Sequence, residues 1–134
     1  MKSYDHTIRY RMDSPEVVTA DVLDPIDYPY KGRRDVVITI AQPEFTSVCP
    51  MTGLPDFGTI TVRYTPDQLI VELKSLKYYL LQFRNVGMFY EHLSNRILDD
   101  LVSVLKPRVM EVSGAFTSRG GLTTTVSARY EDAS

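Results

Sequence analysis

The sequence predicts an α+β fold built on antiparallel strands, and three observations carry that expectation. First, Gly58-Thr-Ile-Thr-Val-Arg-Tyr64 alternates polar with apolar residues, turns at Thr65-Pro-Asp67 and returns as Gln68-Leu-Ile-Val-Glu-Leu73, the pattern of an antiparallel hairpin. Second, two helical patterns follow in succession between residues 76 and 105. Third, the strand-like runs Arg108–Phe116 and Gly121–Tyr130 are joined across Ser118-Arg-Gly-Gly121 as another hairpin. A length of 134 residues fits one domain, and an apolar share of 43% suffices for its core.

Taken in order, residues 1 to 34 mix charged, proline and tyrosine positions, and Asp24-Pro-Ile-Asp-Tyr-Pro-Tyr-Lys-Gly32 reads as an extended arm closed by a turn. Tyr4, Tyr10, Tyr28 and Tyr30 are candidates for stitching this arm onto the body or onto another subunit, a choice the sequence leaves open. The domain proper is expected over residues 35 to 134. It begins with Asp35-Val-Val-Ile-Thr-Ile-Ala41, a β-branched run that reads as a buried strand leading into the next loop. After the first hairpin, Leu76–Phe83 packs bulky residues too densely for an amphipathic strand and ends at Asn85-Val-Gly87, so a short helix with a glycine stop is predicted. A longer helix runs from about Met88 to Leu105, where Lys106-Pro107 ends it.

The chemistry concentrates in Phe45-Thr-Ser-Val-Cys-Pro-Met-Thr-Gly-Leu-Pro-Asp-Phe-Gly58, which holds the sole cysteine, Cys49, with Asp56 shortly after it. Pro50, Gly53 and Pro55 exclude a helix or central strand between them, so a stiff turning loop is expected to fold Asp56 back toward the sulfur. That is a suitable arrangement for a thiolate nucleophile with an acid beside it, although a lone cysteine is also at home as a small buried hydrophobe.

On the longer helix Phe89, Leu93, Ile97, Leu101 and Leu105 recur every fourth position. At roughly 100° per residue Glu91 falls between Leu98 and Val102, within the apolar arc, while His92, Asn95, Arg96 and Asp99 share the solvent side. A buried Glu91 in the first turn, near the positive end of the helix dipole, would stay ionised and accept two hydrogen bonds from a ligand. Lys74, Lys77 and Arg119, the last followed by Gly120 and Gly121, are cations of the kind that meet phosphates.

Cys49 with Asp56, the block Glu72-Leu-Lys-Ser-Leu-Lys-Tyr-Tyr79, Phe83-Arg-Asn85, Glu91 and Phe116-Thr-Ser-Arg-Gly-Gly121 together resemble the short form of the QueF family, over roughly residues 30 to 130. Members of that family are NADPH-dependent 7-cyano-7-deazaguanine reductases of queuosine biosynthesis. The resemblance implies the tunnelling fold, a ββααββ unit with both helices on one face of the sheet. Copies associate into an oligomeric barrel, pentamer-based and decameric, with active sites between subunits. It implies Cys49 as nucleophile, Asp56 as general acid/base and Glu91 as anchor for the guanine-like edge of the substrate, with Ser75, Leu76, Phe89 and Tyr90 as further substrate-side candidates. Lys74, Lys77, Arg119 and Gly120 become the NADPH-phosphate contacts. One position departs from the pattern: the family often has His before the anchoring Glu, where this chain has Tyr90, so a polar contact there is made differently or by His92.

Two rival readings follow from the same features. One is a tunnelling-fold amidinotransferase acting on a nitrile-bearing tRNA, against which the lysine block argues. The other is a non-catalytic purine- or pterin-binding oligomer with an inert Cys49. A net charge of -2 with 24% charged residues argues against direct nucleic-acid binding or a polybasic membrane surface. The first residues lack the apolar run of a signal peptide, and no segment approaches the ~18 apolar residues of a membrane span, so a cytoplasmic protein is expected. One cysteine beside His6 and His92 makes a metal site unexpected.

Overall fold

The computed structural model describes residues 12–133, the side chains of Ser118 and Arg119 excepted. Tyr4, His6 and Tyr10, expected in the arm, lie outside the described residues. The chain forms two 3-10 turns, Pro15–Val17 and Ala20–Val22, then strands β1 (Pro25–Asp27), β2 (Ile38–Val48), β3 (Pro55–Thr65) and β4 (Leu69–Val71). Helices α1 (Leu73–Leu81) and α2 (Tyr90–Leu105) follow, and β5 (Val109–Arg119) and β6 (Leu122–Glu131) close the order.

The main sheet is antiparallel with strand order β2-β3-β5-β6. Its strands and helices run ββααββ, and α2 lies against β5 and β6. Period-two burial sets the inner face: Asp56, Gly58, Ile60, Val62 and Tyr64 on β3, with Met110, Val112, Gly114 and Phe116 on β5. Onto that face α2 lowers Leu93, Ile97, Leu101 and Leu105, buried as the four-residue recurrence predicts, together with Leu98, while Phe89, the first of that recurrence, is exposed. Each such side chain contributes about 1.5–3 kcal/mol by leaving water, and truncating Leu101 to alanine would cost about 2–5 kcal/mol. At its end α2 stops on Lys106, in the left-handed region (φ 47°), followed by Pro107. Gly120 and Gly121, both at positive φ, make the tight turn between β5 and β6.

Three expectations are corrected. The predicted strand over 35–41 starts later and runs on to Val48, with a bulge between Gln42 and Phe45 that lets Pro43 sit inside it. The predicted hairpin between 58–64 and 68–73 does not form, because both edges of β3 are taken, by β2 and β5. Instead β4 pairs with β1 in a separate two-stranded sheet, and the Val71 amide donates to the Tyr64 hydroxyl at 3.0 Å. The short helix lies earlier than 76–83. Its start is set by Glu72, whose carboxylate accepts from the amides of Lys74 and Ser75. It ends before Gly87, which is no helix stop: Val48 forms a bridge with Gly87, and a Cβ on Gly87 would lie 2.1 Å from the Met12 sulfur.

Residues 12–34 pack on the body of their own chain. Val18 and Leu23 join the core, and Gln82 holds Thr19 through its side-chain oxygen and nitrogen, both at 3.0 Å. Arg96, expected on the solvent side, reaches the Val18 carbonyl at 2.7 Å and Asp100 at 2.9 Å, so the arm covers that part of α2. No described helix is long and apolar enough to cross a membrane.

Candidate active site

The cysteine loop is the tip of the β2–β3 hairpin. Val48 and Pro55 are its last cross-strand pair, and proline is tolerated there as the first residue of a strand. The Cys49 amide donates to the Leu54 carbonyl at 2.9 Å and the Gly53 amide to the Cys49 carbonyl at 2.8 Å. Gly53 adopts φ 74°, which a side chain would resist. Prolines, glycine and two backbone bonds thus stiffen the loop, and Asp56 follows as the second residue of β3, on the face that looks toward the helices.

A cleft of about 210 Å³ opens at this end of the sheet, lined by Cys49, Pro50, Asp56, Met88, Phe89, Tyr90, Glu91 and Thr124. The thiol is half-buried, whereas Asp56 is 4% exposed. The expected meeting of Cys49, Asp56, Glu91, Phe89 and Tyr90 therefore occurs in one protomer. Glu91 differs from expectation in one respect: it is exposed, though Leu98, on the same line of the helix, is buried. The wheel measures angle alone, and in its first turn α2 borders the open cleft rather than the core. Phe89 is exposed and meets the edge of His92, itself on the wet face.

The remaining candidates lie elsewhere. Lys74 and Ser75 border a second cleft at the start of α1, with Val22, Asp24, Glu72 and Tyr78. Ser75 is 5% exposed, its hydroxyl donating to the Glu72 carbonyl at 2.7 Å and accepting from the Asp24 amide at 3.0 Å. Leu76, 2% exposed, belongs to the core. Lys77 is exposed beside Gln42 and Glu44, and neither Lys74 nor Lys77 forms an ion pair among the described residues. Gly120 lies in the β5–β6 turn, and the Arg119 side chain falls outside what is described.

Sequence reasoning missed Pro50, Met88 and Thr124 as cleft walls; nothing within Thr123-Thr-Thr125 marks the middle residue. It also missed Ser47, a fully buried residue opposite Asp56 in the β2–β3 register whose hydroxyl has no hydrogen-bond partner among the described residues.

The fold matches the crystal structure of the archaeosine synthase QueF-Like in the apo form, with a TM-score of 0.64 over 75% of this chain and 96% of that one at 19% identity. Fold and site together define an α+β protein of ββααββ order with a thiol-bearing cleft. More narrowly, the chain belongs to the QueF-like protein family, whose model matches residues 55–134, taking in Asp56 and Glu91 while starting just after the Cys49 loop. Relatives named NADPH-dependent 7-cyano-7-deazaguanine reductase include those of Chloroherpeton thalassium, 58% identical over 83% of this chain and 95% of that protein, and of Prosthecochloris aestuarii, 60% identical over 84% and 95%. That of Chlorobium phaeobacteroides strain BS1 is 64% identical over 72% and 82%.

Proposed function

We propose that this chain is an NADPH-dependent 7-cyano-7-deazaguanine reductase, an oxidoreductase of queuosine biosynthesis that turns the nitrile into the primary amine of 7-aminomethyl-7-deazaguanine. The observation that carries the reading is the convergence of the Cys49 thiol, the buried Asp56 and Glu91 on one cleft. Free cysteine is only a few per cent thiolate at neutral pH, so the stiff loop must hold Cys49 ready for attack. Asp56 takes the thiol proton as the Cys49 sulfur bonds to the nitrile carbon and returns it to the nitrile nitrogen, leaving a thioimide on the enzyme. NADPH, when bound, supplies hydride; two hydrides and two protons complete the change from nitrile to amine, and the sulfur is released.

Glu91 accepts hydrogen bonds from the guanine-like edge, its exposure leaving it accessible to a ligand entering the cleft, while Phe89 and Tyr90 wall the ring. Lys74 and Lys77, exposed and without ion-pair partners among the described residues, suit the phosphates of NADPH, with Arg119 and Gly120 completing that site. Ser75 and Leu76 serve by anchoring α1, since one hydroxyl is committed to backbone groups and the other side chain to the core. Catalytic and lysine-bearing groups occupy different clefts of the protomer, which supports active sites completed between copies. The outer edges of β2 and β6 offer the strand pairing for a homo-oligomeric barrel, pentamer-based and decameric, working in the cytoplasm without direct nucleic-acid contact.

Intact-mass measurement with 7-cyano-7-deazaguanine alone should reveal a covalent adduct that the Cys49→Ala variant lacks. With NADPH present, two equivalents should be consumed per substrate. An adduct persisting in the variant, or a nitrile left unreduced, would refute the assignment. The likeness to the archaeosine synthase carries the fold alone, so the amidinotransferase reading gains no support from it.

A further inference from the structure

We propose that Phe116, seated over Gly58 and Gly114 and stacked on Tyr90, is a positioning residue for the substrate cleft, fixing its ring wall and the helix turn that carries Glu91. The inference rests on the reading of this cleft as the nitrile-binding site. Tyr90 is the first residue of α2 and lines the cleft directly before Glu91, so whatever locates the Tyr90 ring also locates the anchor. The Tyr90 and Phe116 rings lie 3.8 Å apart at 6°. Rings stacked that closely move together, so the position of one fixes that of the other. The surroundings of the Phe116 ring therefore decide where the stack lies.

Two glycines form those surroundings. Neither Gly58 nor Gly114 adopts positive φ, and glycine inside a strand lowers stability, so a reason other than backbone freedom must account for them. Space is that reason. A Cβ on Gly114 would lie 2.7 Å from Cε2 and 3.0 Å from Cζ of Phe116. On Gly58 it would lie 2.8 Å from Cδ1 of the same ring and 2.7 Å from the Ala115 carbonyl oxygen. The Phe116 ring occupies the room that two absent side chains leave. Phe116 is also paired across the sheet with Gly58 on one side and with Thr124, a cleft wall, on the other. At 4% exposure it acts on the cleft only through Tyr90.

The test is a double-variant cycle with Gly114→Ala, Phe116→Leu and both together, reading kcat, KM for 7-cyano-7-deazaguanine, KM for NADPH and thermal melting. Gly114 suits it because its two closest contacts are ring atoms of Phe116, which shortening Phe116 removes, leaving only the end of the flexible Ile60 side chain at 3.3 Å. Each single change should raise the nitrile KM about tenfold, with kcat and the NADPH KM within about threefold of the parent. In the Phe116→Leu background the added alanine should have no further effect. Independent, multiplicative effects, an unchanged nitrile KM, or a rise in both KM values together would overturn the proposal. If Phe116→Leu does not fold, Gly114→Ala decides by its KM split. A parent protein that does not reduce the nitrile defeats the functional reading and this inference with it; an active parent with indifferent variants defeats the inference alone.

Discussion

The two clefts of the protomer use similar residue types in opposite ways. At the start of α1 the polar groups hold the fold: Glu72 caps the helix and Ser75 ties Asp24 to Glu72, leaving Lys74 exposed. Beneath α2 a half-buried thiol and a buried carboxylate face a cavity, with an exposed glutamate at its rim. Ser47 sharpens the contrast, being buried at least as deeply as Ser75 yet without a hydrogen-bond partner among the described residues. Substitutions in the first cleft should therefore act on folding and cofactor affinity, and those in the second on chemistry.

The largest expected effect is that of Asp56→Asn. Loss of a positioned proton donor typically removes a factor of about 10²–10⁴, so kcat should fall by that order while the protein still folds. Steady-state kinetics beside a melting curve decides it; a kcat within about threefold of the parent would remove Asp56 from the mechanism. Next comes the pair Lys74→Gln with Lys77→Gln. Two charge-assisted contacts at about 1.5 kcal/mol each predict a rise of roughly a hundredfold in the KM for NADPH, with stability unchanged because both side chains are exposed. An unaltered KM would place the phosphates elsewhere.

The two serines test the comparison directly. Ser75→Ala strands the Asp24 amide and loses the bond to Glu72, at a cost of about 2 kcal/mol. Ser47→Ala removes a hydroxyl with no partner among the described residues and should leave stability within about 0.5 kcal/mol. Urea unfolding of both variants checks this, and equal losses would erase the distinction between the clefts.

Those features were not equally legible in the sequence. The Cys49 loop was, because prolines and glycine announce a stiff turn and Asp56 follows shortly after, though its place at the tip of a β2–β3 hairpin was not. The order of strands and helices was also readable, since α2 and β3 each bury one clean face. Pairing was harder: β4 leaves the expected hairpin for β1, a distant partner that its short run of Leu69, Ile70 and Val71 does not name. Glu72 as a cap was hidden because glutamate is uncommon there, and the exposure of Glu91 depends on where the cleft begins, which no periodicity encodes. Phe116 stood in the sequence only at the end of a strand-like run, and the glycines beneath it, Gly58 and Gly114, come together only in the fold.

A further effect concerns the buried phenols of the core. Tyr79 donates to Asp100 at 2.5 Å, and burial first, then that hydrogen bond, raises its phenol far above the ordinary 10.0. Burial raises Tyr64 too, partly offset by the Val71 amide. With folded values above unfolded ones, the stabilisation is fully present below pH 10, where both states keep the proton. Above that pH the unfolded chain releases protons that the native protein retains, so stability should decline by up to about 1.4 kcal/mol per pH unit for each such tyrosine. Tyr79→Phe removes one of the two, and its stability measured by urea between pH 9 and 11 should fall about half as steeply as the parent's. It should also lie about 1–2 kcal/mol lower at neutral pH, where the bond to Asp100 is missing but Arg96 still pairs with that carboxylate. Parallel pH curves would mean that the phenol titrates alike in both states.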